Sequence, residues 1–98
     1  MKLQGKVAVI TGAGRGIGRA AALAFARRGA TVVAANRRIA DGESLVAEIA
    51  AAGGKAHFVA TDVAQPAQIK RLMDEAAARC GRIDIVFQNA GIASGGTM

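Results

Sequence analysis

Tryptophan and tyrosine are absent from this 98-residue chain, and three phenylalanines are its only aromatic residues. A protein that grips nucleic acid by stacking bases has no platform here, and no tyrosine is available as an acid or base. One cysteine, Cys80, excludes an internal disulfide, and with no Cys or His at metal-ligand spacing around it a structural zinc site is excluded too. It falls on the apolar face of a predicted helix and reads as a structural thiol. The single histidine, His57, lies in a predicted strand with no partner in sequence, so it reads as structural or exposed rather than catalytic. There is no uncharged apolar run long enough for a membrane span, and the opening Met1-Lys2-Leu3-Gln4-Gly5-Lys6 lacks the apolar stretch of a secretion signal. The expectation is a soluble cytoplasmic protein with no membrane partner and no metal.

Hydrophobic residues make up 52% of the chain, enough for one modest core; a chain this long buries roughly 60 to 70% of its unfolded surface. The formal charge is +6, from 13 Lys and Arg against 7 Asp and Glu. The basic residues are scattered, as on solvated helix faces, so a nucleic-acid partner is not expected. Arg15, Arg37 and Arg38 are the exceptions, because of where they stand relative to the stretch described next.

Thr11-Gly12-Ala13-Gly14-Arg15-Gly16-Ile17-Gly18 directly follows the apolar run Val7-Ala8-Val9-Ile10. Glycines at alternate positions remove each β-carbon where a backbone must bend with unusual φ and approach a ligand closely, and the helix that begins here offers free N–H groups to an anion. The spacing Gly-x-x-x-Gly-x-Gly, counted on Gly12, Gly16 and Gly18, does not match Gly-x-Gly-x-x-Gly, and the Gly-Lys-Ser/Thr ending of an ATP-binding loop is missing. A tight structural turn would have the same composition. What favours nucleotide binding is the position between a buried strand and an amphipathic helix.

The rest of the chain repeats that alternation. Strands are predicted at 6–11, 31–35, 55–61 and 83–88, the first a nearly all-apolar run as expected of a strand covered on both faces. The first helix follows the glycines with Ile17, Ala20, Ala21, Ala24 and Phe25 on its inward face, and Arg27-Arg28-Gly29 closes it. The second runs from about Asp41 to Ala52 with Leu45, Val46, Ile49 and Ala52 inward; the third starts at Pro66 and turns Ile69, Leu72, Met73, Ala76, Ala77 and Cys80 inward. The order β-α-β-α-β-α-β implies an α/β fold, a parallel sheet of doubly wound Rossmann type, partial, with strand order 3-2-1-4. Its switch point lies between the first and fourth strands, where the glycine loop and Asn89-Ala90-Gly91 would meet.

With those motifs placed, the chain resembles the N-terminal portion of a short-chain dehydrogenase/reductase of the kind that includes 3-oxoacyl-carrier-protein reductases. Residues 11–18 match that family's Thr-Gly-x-x-x-Gly-x-Gly, Asp62-Val63 its adenine-side Asp, and Asn89-Ala90-Gly91 its Asn-Asn-Ala-Gly, with Gln88 in place of the first Asn. The resemblance implies that residues 1–98 form the cofactor-binding part of a Rossmann domain, incomplete and without its catalytic part. It implies a nicotinamide dinucleotide held by Gly12, Gly14, Gly16, Ile17 and Gly18 on the pyrophosphate side, by Asp62 and Val63 at the adenine, and by Asn89, Ala90 and Gly91 along the adenosine side, with Arg15 and Arg37 clamping a 2′-phosphate. Asn36 stands where NAD-selective relatives carry an acid, and Arg37, Arg38 and Arg15 surround it, so NADP is expected in preference to NAD.

The family's catalytic Ser, Tyr-x-x-x-Lys pair and helical Asn have no counterpart among these residues, so none is assigned a catalytic role. A complete relative would transfer hydride between NADP(H) and a small carbonyl or secondary alcohol and would be a homo-oligomer. Two classes of function therefore stand: the cofactor-binding part of an oxidoreductase, or a nucleotide-binding module or inactive remnant without turnover. A basic nucleic-acid-binding domain is the weakest alternative.

Overall fold

The structure, a computed structural model, describes residues 2–89. The chain runs β1 (Val7–Thr11), α1 (Gly16–Arg27), β2 (Thr31–Asn36), α2 (Ile39–Ala51), β3 (Lys55–Ala60), α3 (Pro66–Cys80) and β4 (Ile85–Gln88). All pairings are parallel, in the order β3-β2-β1-β4. Every residue of β1 is buried, as befits a strand paired on both sides, with Val9 opposite Val33 on one side and Val86 on the other.

Period-two alternation is hidden in the sequence because both faces of the sheet are apolar. In space it separates cleanly. Ala8, Ile10, Val32 and Ala34 face Ala22 of α1 and Leu45 and Ile49 of α2, with Phe25 and Phe87 edge to face at 6.3 Å between ring centroids beside them. Val7, Val9, Val33, Ala35 and Val59 face Leu72 and Ala76 of α3, with Met73, Cys80 and Ile83 packed alongside. Burial pushes the Cys80 thiol above its ordinary pKa, which suits a packing role. No helix among the described residues is long and apolar enough to cross a membrane.

In α2 and α3 the predicted Leu45, Ile49, Leu72 and Ala76 are buried, whereas α1 is rotated from the face that apolar periodicity predicts. In α1 the buried positions are Gly18 and Ala22, whereas Ile17 is 71% exposed and Ala20 and Ala24 are exposed. The cause is contact at Gly18: a β-carbon there would lie 2.1 Å from the Gly12 carbonyl oxygen, so this face must turn inward. In α2 the buried stripe is Gly42, Leu45 and Ile49, with Gly42 against the Phe58 ring, and Ala52 is exposed beyond the helix end. A glycine contributes nothing to an apolar pattern, yet Gly18 sets the rotation of α1 and Gly42 lets α2 seat closely on Phe58. The second helix also starts earlier than predicted, at Ile39, and Ala77 of α3 is exposed.

Residues 83 and 84 precede the fourth strand rather than belonging to it. Asp84 clamps the entry: its Oδ2 accepts from the Val7 N–H at 2.8 Å, and its own N–H donates to the Val7 carbonyl at 2.9 Å. Arg82 donates to both carboxylate oxygens, at 2.7 to 3.1 Å. The Arg82 guanidinium, with the Val7 N–H, holds the Asp84 carboxyl below its usual 3.8. A carboxylate depressed in the folded state contributes stability that is complete above the unfolded value and is lost as pH falls through the lower folded one. The expected result is that Asp84→Asn destabilises the chain at neutral pH and that the gap to wild type narrows below about pH 4, read from urea midpoints across the acid range. A gap that stays constant with pH would show the clamp to be independent of ionisation.

Candidate cofactor site

The carboxyl ends of β1, β2 and β3 open into a cleft of about 230 Å³ lined by Gly12, Gly14, Arg15, Asn36, Arg37, Arg38, Asp41, Thr61 and Val63. Its floor is the glycine turn. Gly12 and Gly16 take the left-handed backbone, at φ of 63° and 56°, which a side chain would strain. Between them Gly14 lies against the start of α2: a β-carbon there would come 2.8 Å from that of Asp41 and 3.1 Å from Asn36 Nδ2. The Ala13 N–H donates to the Ala35 carbonyl, leaning the turn onto β2.

Arg15 is the extended residue that precedes α1. Among the described residues no side chain caps this helix and no acid stands in its first turn, so its leading N–H groups can meet an anion. Gly16 and Ile17 are exposed at this helix start, outside the lining of the cleft, and Gly18 is buried behind it. Asn36 ends β2 with its Nδ2 donating to the Arg38 carbonyl at 2.6 Å, which folds residues 37 and 38 over the cleft. Among the described residues its buried Oδ1 has no hydrogen-bond partner.

Asp62 stands at the adjoining concavity with Arg37, Ala60, Thr61, Gln68 and Arg71 rather than in the main cleft. Its Oδ1 accepts from the Ala64 N–H at 3.0 Å and its N–H donates to Gln68 Oε1 at 2.8 Å, so it also shapes the turn into α3. Asn89 is tied to the glycine loop: its N–H donates to Thr11 Oγ1 at 3.1 Å and its Nδ2 to the Gly12 carbonyl at 3.4 Å. The end of the fourth strand is thereby fixed to the phosphate turn across the switch point. Ala90 and Gly91 lie outside the described residues.

Two lining residues were not singled out from sequence. Thr61, buried, donates its hydroxyl to the Val59 carbonyl at 3.0 Å, and its N–H reaches the Asn36 carbonyl. Asp41 pairs with Arg15, Oδ2 to Nε at 2.9 Å. An acid in the first turn of the helix after Arg37-Arg38 was the available signal. Three guanidinium groups against one carboxylate leave the cleft positive, suited to a multiply charged anion.

The short chain dehydrogenase family model matches residues 6–98. The chain is 50% identical over 97 residues to a versicolorin reductase of Emericella nidulans, covering 97% of this chain and 36% of the relative. It is 47% identical over 90 residues to an uncharacterised oxidoreductase of Mycobacterium tuberculosis, covering 92% and 34%. A crystal structure of hydroxysteroid dehydrogenase from Escherichia coli superposes with a TM-score of 0.89 at 39% identity, covering 92% of this chain and 38% of that one. Glucose dehydrogenase of Caenorhabditis elegans gives 0.86 at 34% identity, covering 96% and 42%. The chain thus spans about a third of the length of the curated relatives it matches. With its strand order, its glycine turn and its tie between Asn89 and that turn, the chain belongs to the short chain dehydrogenase family.

Proposed function

We propose that this chain is the NADP-binding portion of a short-chain oxidoreductase that moves hydride between NADP(H) and a carbonyl or secondary alcohol. The family binds nicotinamide dinucleotides, and the choice of NADP rests on one observation: a neutral Asn36 flanked by Arg15, Arg37 and Arg38 in a single cleft. The residues fit the phosphorylated adenosine end of that cofactor. Gly14, lacking a β-carbon, lets the turn lie against Asp41 and Asn36 so that Arg15 reaches the cleft, Asn36 puts a neutral amide rather than an acid at the end of β2, and the surplus of guanidinium groups suits a 2′-phosphate. When bound, the nicotinamide supplies the hydride chemistry. The chain's own work is to hold the pyrophosphate at the start of α1, to read the 2′-phosphate, and to bound the adenine with Asp62 and Val63.

Titration of NADPH and NADH against the protein, followed by nicotinamide fluorescence, tests this reading. Tighter binding of NADPH is expected, and equal affinity would overturn it. The second reading, a nucleotide-binding module without turnover, is separated from the first by an activity assay on the chain. Expressed alone, the chain is expected to bind NADPH yet to show no ketone-dependent NADPH oxidation. Turnover that survives purification and is abolished by a substitution in this chain would refute that.

A further inference from the structure

Among the described residues, Asp41 is the only carboxylate lining a cleft rimmed by three arginines. Its Oδ2 accepts from Arg15 Nε at 2.9 Å, an anchor for an arginine whose side chain is 67% exposed. We infer that Asp41 is a positioning residue for Arg15: by holding Nε it presents the outer Nη edge of the guanidinium to the phosphate that distinguishes NADP from NAD. The inference rests on the proposed NADP reading and deepens it.

A guanidinium carries five N–H donors in a rigid fork, and occupying Nε leaves the two Nη groups to grip a phosphate side by side. A free, exposed arginine must surrender its rotamer freedom when it binds; one already anchored has surrendered it in folding. The anchor itself is firm. Asp41 lies in the first turn of α2, where the positive end of the helix favours a carboxylate, and its β-carbon is packed beneath Gly14 of the turn that carries Arg15.

Asp41 also carries a charge of the same sign as the phosphate, and as a competing counter-ion it would weaken binding. That repulsion is reduced by the bound guanidinium, by the helix end and by solvent at the cleft mouth. Positioning is therefore the larger effect, and the two alternatives predict opposite signs.

The probes are adenosine 2′,5′-bisphosphate and adenosine 5′-monophosphate, which isolate the phosphate in question, titrated calorimetrically against the wild-type chain and its variants. Asp41→Ala is expected to weaken the bisphosphate about three- to fivefold, leaving the monophosphate unchanged. Asp41→Asn, whose Oδ1 can still accept from Arg15 Nε but without the charge, is expected to lose less than Asp41→Ala, and Asp41→Glu to recover at least half of the loss. In an Arg15→Ala background, Asp41→Ala is expected to add nothing. Tighter bisphosphate binding on losing Asp41, equal losses for both nucleotides, or a loss that persists without Arg15 would each overturn the inference. A wild-type chain that binds both nucleotides equally would instead overturn the NADP reading, before any variant is made.

Discussion

Replacing Asn36 by Asp and Arg37 by Ile together is expected to erase the preference for NADPH over NADH, a change on the order of a hundredfold or more. Charge-assisted hydrogen bonds contribute about 1.5 to 3 kcal/mol each, and every 1.4 kcal/mol or so is a factor of ten, so two guanidinium contacts to one phosphate suffice for that range. Exposure of Arg15 and Arg37 places the expectation at the lower end. The aspartate acts twice. It sets a negative charge beside the 2′ position, and it cannot donate the hydrogen bond that Asn36 Nδ2 gives to the Arg38 carbonyl. With that bond lost, a carboxylate oxygen would face a carbonyl oxygen, and the segment carrying both arginines must shift away. Asn36→Asp alone is therefore expected to lose more NADPH affinity than Arg37→Ile alone. NADH affinity is expected to rise, since an acid at this strand end accepts from both ribose hydroxyls. Dissociation constants for the two cofactors on the single and double variants check this, and a preference untouched in the double variant would remove Asn36 and Arg37 from the site.

The parts of this molecule that were legible in the sequence are those whose signal is local. Four apolar runs separated by helical periods fix the β-α alternation, and the right-handed crossover rule then orders the sheet as β3-β2-β1-β4. The glycine turn, Asn36 and the two following arginines were legible because their spacing from a strand end has a chemical meaning. What escaped depends on distant partners. Gly18 turns α1 about its axis through its contact with Gly12, and Gly42 seats α2 on Phe58, neither of which a helical pattern records. Asp84 reads as part of a strand until the Val7 N–H is found against its carboxylate. Asp41 and Arg15, 26 positions apart, are joined only because the turn over β1 and the start of α2 share one end of the sheet.

Gly18→Ala is expected to be the most damaging single methyl group that can be added to the glycine turn. The new β-carbon would fall 2.1 Å from the Gly12 carbonyl oxygen, 2.7 Å from its carbon and 3.0 Å from Asn89 Nδ2. A flexible side chain could swing aside, but here the obstacle is backbone. Gly12 is held by its left-handed φ of 63° and by the amide that Asn89 donates to its oxygen. Relief requires α1 to lift from β1, which moves its N-terminus from the phosphate position and strains the tie to the fourth strand. Alanine is the better helix former by about 1 kcal/mol, which opposes the effect. Overpacking typically costs about 1 to 3 kcal/mol, and more where backbone must move, so the net is destabilising by about 2 kcal/mol. For a domain of this size that lowers the melting temperature by about 10 °C. Gly16→Ala supplies the contrast. Gly16 has the left-handed φ of 56°, but a β-carbon there meets nothing within 4 Å, so its cost is the conformational strain alone, about 1 to 2 kcal/mol. That strain is local to the turn and leaves α1 seated. Gly16→Ala is therefore expected to retain NADPH binding, weakened less than tenfold, while Gly18→Ala loses it by about a hundredfold. Thermal unfolding and NADPH titration of the two variants decide the matter. A Gly18→Ala protein that binds as wild type, or a Gly16→Ala protein that loses more affinity, would show that the seating of α1 against Gly12 does not hold the phosphate site in place.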